Sequence, residues 1–146
     1  AASDVYKRQD TYLGEDYTTP HYVGVDPAYY EMVVEGMRMS MVKGTCRIGE
    51  IPGVEACGKT GTAQNPHGDD HSAFMGFAPR ENPRIAIAVY VENAGWGATY
   101  GVPIGSLMME KYLNGEIAPS RKWLEERMLN ANTMIQEEEE ENVAQE

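Results

Sequence analysis

Apolar residues recur at steps of three and four along residues 26–44. Asp26 can cap the N-terminus of a helix and Pro27 suits its first position. Glycine commonly ends a helix, and Gly44 lies where this one should end. The pattern predicts an amphipathic helix over this range. Five apolar residues are expected on its buried face: Tyr30, Val33, Val34, Met37 and Met41.

Three strands are predicted, at residues 54–64, 72–78 and 84–92, and the third has the strongest pattern. Residues 80–83 have turn composition and predict an antiparallel hairpin between the last two strands. The third strand is apolar on both faces, so we expect it to be covered on both sides. Its small face, Ala86 and Ala88, suits a helix lying close against it.

Two further helices are expected after the strands. The first spans residues 103–114, stops at Gly115 and has one side marked by Ile104, Leu107, Met108 and Lys111. The second lies within residues 116–136, is capped by Ser120 and carries a stripe of Leu124, Met128, Ala131 and Ile135. The whole pattern predicts an α+β fold in which three antiparallel strands are flanked by helices.

The sequence Lys59-Thr60-Gly61-Thr62 lies inside the first predicted strand. Side chains alternate along a strand, so Thr60 and Thr62 should share a face. Gly61 has no side chain, which lets another backbone approach closely. An exposed strand edge can pair with an extended peptide, and two hydroxyls with an ammonium suit a terminal carboxylate. The residues alone therefore predict recognition of a peptide carboxylate by Lys59, Thr60, Gly61 and Thr62.

A wider set of residues surrounds this motif in a recognisable order. It comprises Gly36-Met37, Gly44-Thr45, residues 57–64, Asp70-His71-Ser72, residues 74–79, Asn82-Pro83, residues 85–93 and Pro103-Ile104. From about residue 18 to residue 113 the chain resembles the C-terminal third of the transpeptidase domain of class B, elongation-type penicillin-binding proteins. The resemblance implies a fragment of the fold that these proteins share with serine β-lactamases.

The resemblance also implies a function and roles for individual residues. Proteins of this family are D,D-transpeptidases that crosslink peptidoglycan stem peptides ending in D-Ala-D-Ala, and β-lactams trap their serine. By resemblance, Lys59 would position the catalytic polar groups and the substrate carboxylate, which Thr60 and Thr62 would bind. The Thr62 N–H would be half of the oxyanion hole, a donor type worth about 3 kcal/mol in acyl transfer. Lys59 and Thr62 are thus the catalytic residues expected here, with no metal and no cofactor.

The nucleophile of the family is missing from the chain. Its signatures are Ser-x-x-Lys and Ser-x-Asn. None of the five serines has Asn two residues later, and only Ser40 has Lys three residues later. Ser40 lies at a helix end only 19 residues before Lys59, so we reject it. We expect the nucleophile in an upstream part of the same polypeptide, and we expect the isolated chain to be inactive and to fold poorly because it exposes an unpaired sheet.

Two other functions compete with the enzyme. One is a non-catalytic sensor module that binds β-lactams or peptides with the same fold. The other is nucleotide binding, because residues 53–60 match the phosphate-loop pattern G-x-x-x-x-G-K-[ST]. The residues before the pattern are a poor buried strand and those after it cannot open a regular helix, which argues against nucleotide binding.

The cysteines and histidines do not indicate a metal site. Cys46, Cys57, His67 and His71 lack a standard zinc spacing. We expect one buried and one partly exposed thiol, while the sequence leaves open whether the two cysteines pair. His71 is expected to make a structural hydrogen bond.

Composition narrows the possible partners. The net charge is −11 and residues 137–146 include a run of glutamates, which predicts a solvated, disordered tail and excludes nucleic-acid binding. The longest apolar run, residues 85–91, has seven residues, whereas a membrane span needs about 20. The expected partners are stem peptides, β-lactams, the upstream polypeptide and membrane proteins of the elongation machinery. By resemblance, this domain would lie in the periplasm of a bacterium, with its inner-membrane anchor upstream.

These observations divide the chain into four parts. Residues 1–17 are left unassigned, and residues 1–9 are a candidate non-native start. Residues 18–115 form the C-terminal part of a transpeptidase domain. Residues 116–136 form an amphipathic helix, and residues 137–146 form the acidic tail.

Overall fold

The computed structural model describes residues 24–132. Its elements follow the predicted order of one helix, three strands and two helices. They are α1 (Pro27–Lys43), β1 (Cys57–Ala63), β2 (His71–Ala78), β3 (Ile85–Val91), α2 (Gly101–Asn114) and α3 (Lys122–Leu129), with 3₁₀ turns at Arg47–Gly49 and Pro119–Arg121. The strands form one antiparallel sheet in the order β1-β2-β3. The predicted α+β class and meander are therefore confirmed.

Helix α1 begins and ends as its sequence predicts. The Asp26 carboxylate accepts a hydrogen bond from the Ala28 N–H at 2.9 Å, and the Gly44 N–H bonds the Met39 and Ser40 carbonyls at 3.1 Å. A Cβ at Gly44 would lie 2.8 Å from the Ser40 Cα, so close packing against the last turn explains this glycine.

The predicted apolar face of α1 is only partly correct. Met41 is fully buried, whereas Tyr30 and Val33 are 48% and 60% exposed. The C-terminal half of α1 packs on β1, but no element within residues 24–132 covers its N-terminal half. Periodicity identified a face but could not say how far along the helix that face is covered.

The register of the sheet separates two faces. On one face Thr60 lies opposite Phe74, and Phe74 lies opposite Val89. On the other face Lys59 lies opposite Met75, and Met75 lies opposite Ala88. We call the first the helix-covered face and the second the open face.

Helix α2 packs on the helix-covered face through glycine. A Cβ at Gly105 would lie 2.5 Å from Cδ1 of Phe74, so a side chain there would clash with the most deeply packed ring of the sheet. The core therefore lies between α1, α2 and this face. Its buried residues are Met41, Cys46, Ile51, Ala56, Phe74, Ala78, Val102 and Met109.

The prediction that β3 is covered on both sides, with a helix on its alanine face, is wrong for residues 24–132. Ile87 and Val89 pack against the core, whereas Ala86, Ala88 and Tyr90 are exposed. The small residues that permit close helix–sheet approach are the glycines of α2 rather than the alanines of β3. Helix α2 therefore packs on the bulky face of the strand.

Helix α2 starts two residues earlier than expected and stops at Gly115, whose φ of +79° is the left-handed conformation that favours glycine. Among the residues that were expected to mark one side of this helix, Leu107 is buried, but Met108 and Lys111 are exposed. Close contact at Gly105 rotates the packed face away from these two residues, so that Val102 and Met109 face the core instead.

Helix α3 is shorter than predicted. Ser120 lies in a 3₁₀ turn and does not cap the helix, which starts at Lys122 and ends at Leu129. Leu124 is buried and Met128 packs beside it, as the stripe predicted. Ala131 follows the helix, and Ile135 lies outside the described residues.

Residues 1–17 and the predicted acidic tail also lie outside the described residues. In the described part of the chain, no helix is both long and apolar enough to cross a membrane.

Candidate functional site

Strand β1 forms one edge of the sheet, and it carries the Lys-Thr-Gly-Thr motif along its accessible part. Gly58 is buried, and a Cβ there would lie 2.5 Å from Cε2 of Phe74. Lys59, Gly61 and Thr62 are exposed, and Thr60 is half-buried. The strand runs straight through Thr60 to Ala63, so these residues do not form a loop that opens a helix. The phosphate-loop interpretation is thereby excluded on geometry.

Lys59 lies on the open face. Its ammonium Nζ donates to the backbone carbonyl of Thr60 at 2.8 Å, and within residues 24–132 it forms no ion pair with a carboxylate. A shallow cavity of about 280 Å³ adjoins it. The side chains of Met75 and Tyr90, which are 61% and 57% exposed, also line that cavity. The ammonium is therefore available to a group that enters from this face.

Thr60 and Thr62 share the other face of β1, as strand alternation predicts. The Thr60 Oγ1 lies 2.9 Å from the Thr45 Oγ1, within hydrogen-bonding distance. The two hydroxyls and the Lys59 ammonium thus lie on opposite faces of the strand. They can converge only on a group held in the plane of the sheet, beside the edge of β1.

The loop between β3 and α2 closes over the hydroxyl side of β1. A Cβ at Gly97 would lie 2.6 Å from the Gly61 carbonyl oxygen and 3.1 Å from the Thr60 Cβ, so the loop approaches the motif as closely as a backbone can. The buried Ser72 hydroxyl holds the loop in place. It donates to the Trp96 carbonyl at 2.9 Å and accepts from the Gly101 N–H at 3.0 Å.

A groove of about 500 Å³ lies beside this loop, and Thr45, Arg47 and Trp96 are among the residues that line it. Trp96 is 75% exposed. Because Thr45 contacts Thr60, the groove adjoins the hydroxyl side of the motif.

The turn between β1 and β2 is fixed by side-chain hydrogen bonds. The Asn65 amide donates to the Asn93 side chain at 2.7 Å, and the Asp70 carboxylate accepts from the Asn65 N–H at 3.2 Å. His71 Nδ1 accepts from the Asn93 N–H at 3.1 Å, which confirms the structural hydrogen bond predicted for His71. This network fixes the far end of β1 relative to the loop that covers it.

Both cysteines are free and buried, so the expectation of one partly exposed thiol is wrong. Burial raises the pKa of the Cys57 thiol, while Arg80 and Arg38 act in the opposite direction. Strand β1 starts under α1 rather than at the surface, which explains why Cys57 is covered.

The sequence model of the penicillin-binding protein transpeptidase domain matches residues 4–110. The chain belongs to this family. The match starts earlier than residue 18, where the sequence resemblance was expected to begin. It ends within α2, so α3 lies beyond it.

Curated transpeptidases and solved structures of the family show the same relationship. The peptidoglycan D,D-transpeptidase PbpA of Mycobacterium tuberculosis is 36% identical over 97 residues, which are 59% of this chain and 18% of that protein. The imipenem acyl-enzyme complex of M. tuberculosis penicillin-binding protein A is 34% identical with a TM-score of 0.56, over 64% of this chain and 21% of that one. Pseudomonas aeruginosa PBP2 is 35% identical with a TM-score of 0.57, over 69% of this chain and 23% of that one. The chain therefore spans about a fifth of the length of these transpeptidases.

The sequence did not identify two residues that shape this transpeptidase motif. Thr45 and Gly97 contact Thr60 from segments 15 and 37 positions away. Thr45 belongs to the pair Gly44-Thr45, one of the short stretches that resemble the family, and Gly97 lies in a glycine-rich loop. Both positions were therefore noticeable in the sequence. Neither signal specified the contact, because contacts this distant along the chain depend on the tertiary fold.

Proposed function

We propose that this chain supplies one wall of the active site of a peptidoglycan D,D-transpeptidase. One observation carries the proposal: Lys59, Thr60, Gly61 and Thr62 occupy the exposed edge strand of a sheet in a chain that belongs to the transpeptidase family. The name of its relative PbpA, a peptidoglycan D,D-transpeptidase, agrees with this proposal.

The edge of β1 binds the stem peptide by strand addition in this proposal. A peptide paired with the edge lies in the plane of the sheet, where the Lys59 ammonium reaches it from one side and the Thr60 and Thr62 hydroxyls from the other. Its terminal carboxylate receives a charge-assisted hydrogen bond, the strong kind of polar contact. The Thr62 N–H serves as one oxyanion donor.

The upstream part of the same polypeptide docks on the open face and brings the serine. The exposed apolar side chains of Met75 and Tyr90 supply area for this contact, and the cavity beside Lys59 lies within it. The serine hydroxyl attacks the carbonyl of the penultimate D-Ala and loses its proton to a base. The terminal D-Ala leaves with a proton, and an amine of a second stem peptide then takes the acyl group and releases the serine. A β-lactam acylates the same serine.

The cellular setting follows from the substrate. Stem peptides are crosslinked outside the bacterial inner membrane, so we place this domain in the periplasm of a membrane-anchored protein that contributes to cell shape. Membrane proteins of the elongation machinery are its proposed partners.

The decisive experiment uses the full-length protein and a fluorescent penicillin. Lys59→Ala should slow acylation of the serine by about 100-fold or more, as loss of an electrostatic donor in acyl transfer does. Lys43→Ala, at the exposed end of α1, is the matched control and should acylate at the parent rate. Equal acylation rates for Lys59→Ala and the parent would refute the assigned role of Lys59, and a parent that binds no penicillin would refute the function.

Release of D-alanine from a stem peptide then separates an enzyme from a sensor. The proposal predicts D-alanine release together with crosslinked product. A parent protein that is acylated by penicillin but releases no D-alanine would establish the binding module instead.

A further inference from the structure

Residues 50–56 connect the first 3₁₀ turn to β1, and Arg38 of α1 joins the two ends of this segment. The guanidinium makes two bonds to the Glu50 carboxylate, at 2.5 Å and 2.7 Å, and a third to the Ala56 carbonyl oxygen at 3.0 Å. The Arg38 side chain is 12% exposed and that of Glu50 is 40% exposed. Ala56 immediately precedes β1, so this clamp sets the point from which the strand begins.

Arg121 holds the same segment from the other side. Its guanidinium donates to the Glu50 backbone carbonyl and, at 2.8 Å, to the Ser106 hydroxyl. Its Nε lies 2.9 Å from the carboxylate of Glu110, whose other oxygen accepts the Ala118 N–H at 3.0 Å. The Arg121 and Glu110 side chains are 7% and 1% exposed.

Arg121 and Glu110 form a buried ion pair. Burial lowers the pKa of the Arg121 guanidinium, and the Glu110 carboxylate opposes that effect. A buried charge with a paired carboxylate and further hydrogen bonds is the arrangement in which loss of one partner is most disruptive.

Glu50 is therefore held twice, by its carboxylate from α1 and by its carbonyl from the turn before α3. Lys59 lies three residues beyond Ala56, a distance of about 10 Å along an extended strand. A shift of the clamp is thus transmitted along the first residues of β1 to the motif. Arg121 lies beyond residue 110, where the family match ends.

We propose that Arg38 and Arg121 are positioning residues that act through Glu50 to set the place of β1, and hence of Lys59 and Thr62, for acylation. The consequence for acylation rests on the proposed transpeptidase function, whereas the consequence for the order of β1 does not. Misplacing a catalytic group by about 1 Å can cost about 100-fold in rate.

The test measures two properties of the full-length protein in each variant. The first is the second-order rate of acylation by a fluorescent penicillin at a temperature where every variant is folded. The second is hydrogen exchange in a peptide covering residues 57–63, which reports the order of β1 without any need for activity. Arg38→Lys, Glu50→Gln and Arg121→Lys keep most of the side-chain volume and are used beside Arg38→Ala, in case the alanine variant does not fold.

Arg80→Ala is the matched control. Arg80 also pairs with a glutamate of α1, Glu35, at 2.8 Å, but this pair is more exposed and its side chains make no bond to the segment 50–56. We expect Arg80→Ala to change the acylation rate by less than about twofold, since exposed ion pairs contribute little.

Arg38→Lys, Glu50→Gln and Arg121→Lys should each lower the acylation rate by about 10- to 100-fold and speed exchange in residues 57–63. Lysine does not reproduce the fork of donors that spans two acceptors.

Parent-like rates and parent-like exchange in all three variants would overturn the inference. A slower acylation with unchanged exchange would also overturn it, because β1 would then have kept its order. If the parent binds no penicillin but the variants still speed exchange, the proposed function fails and the positioning of β1 stands.

Discussion

The two faces of the sheet are built from similar residues but differ in how far their side chains are exposed. Phe74 and Met75 are neighbours on β2, yet Phe74 is 2% exposed on the helix-covered face and Met75 is 61% exposed on the open face. The sequence is apolar on both faces. The difference therefore lies in what is available to cover each face within the described residues, where α2 packs against β2 and β3 on the helix-covered face and α1 packs against β1.

Glycines mark the covered face and explain its tight packing. A Cβ at Gly58, Gly76 or Gly105 would lie 2.5–2.8 Å from the ring of Phe74. On the open face, a Cβ at Gly61 would meet only the Ala73 side chain, at 3.3 Å. The covered face is thus closely packed, whereas Met75 and Tyr90 on the open face stay exposed within the described residues. Four experiments, taken from the largest expected effect to the smallest, test this contrast.

Phe74→Ala should have the largest effect on stability. It removes a buried ring from the centre of the covered face, and such truncations cost about 3–5 kcal/mol. Urea unfolding of the full-length protein measures the loss. Leu129→Ala, a side chain 79% exposed at the end of α3, is the control and should stay within about 0.5 kcal/mol. Equal losses for the two variants would contradict the assignment of the core.

Met75→Ala should behave differently in two contexts. In the full-length protein it should cost about 2–3 kcal/mol, because the docked upstream part would bury it. In residues 1–146 alone it should leave the circular dichroism spectrum and its response to urea as in the parent chain. A cost within about 0.5 kcal/mol in the full-length protein would show that the open face stays open there.

Gly105→Ala should cost about 1–3 kcal/mol, because its Cβ would overlap Phe74. Gly36 is also inside a helix, but a Cβ there would meet nothing within 4 Å. Gly36→Ala should therefore stabilise the full-length protein by about 0.5–1 kcal/mol. Thermal unfolding of the two variants compares them, and changes of the same sign would contradict close packing at Gly105.

The pH dependence of stability should report the burial of Cys57. Its pKa is raised in the folded state above its ordinary value of 9.0, chiefly by burial, while Arg80 and Arg38 lower it and Glu55 and Glu35 raise it further. As pH rises, the thiol of the unfolded protein ionises first. The contribution of Cys57 to the free energy of unfolding is therefore complete below pH 9, and it is lost as pH rises through the pKa of the folded state. The expected slope is at most about 1.4 kcal/mol per pH unit.

Cys57→Ala should lack that slope, so the difference in the free energy of unfolding between the parent and the variant should change between pH 8 and pH 10, as measured by urea unfolding. An identical pH dependence in Cys57→Ala and in the parent would mean that the thiol is accessible in the folded protein.

Local patterns predicted the elements of the fold well. The alternation in residues 85–91 placed β3, and the Asp26-Pro27 pair placed the start of α1. Alternation defines two faces of a strand but not which one is packed, and this is why the helix was expected on the wrong side of β3. Ser120 has the chemistry of a cap, yet the buried Arg121 next to it fixes a 3₁₀ turn at that point.

The strand geometry of the candidate site was predictable to a similar degree. The motif alone indicated a strand with Thr60 and Thr62 on one face, and the register agrees. The contact from Thr45 and the clamp from Arg38 and Arg121 join positions 12 to 71 residues apart, and no periodicity encodes such pairs.

Gly97 gives the loop over β1 its spacing from the motif. Its Cα position leaves no room for a side chain, since a Cβ would lie 2.4 Å from the Ala73 carbonyl oxygen and 2.6 Å from that of Gly61. Any other residue at position 97 must lift the loop and carry Trp96 with it. A single substitution there would therefore widen the cleft beside β1 and change which molecules fit it, while every residue of the Lys-Thr-Gly-Thr motif stayed the same.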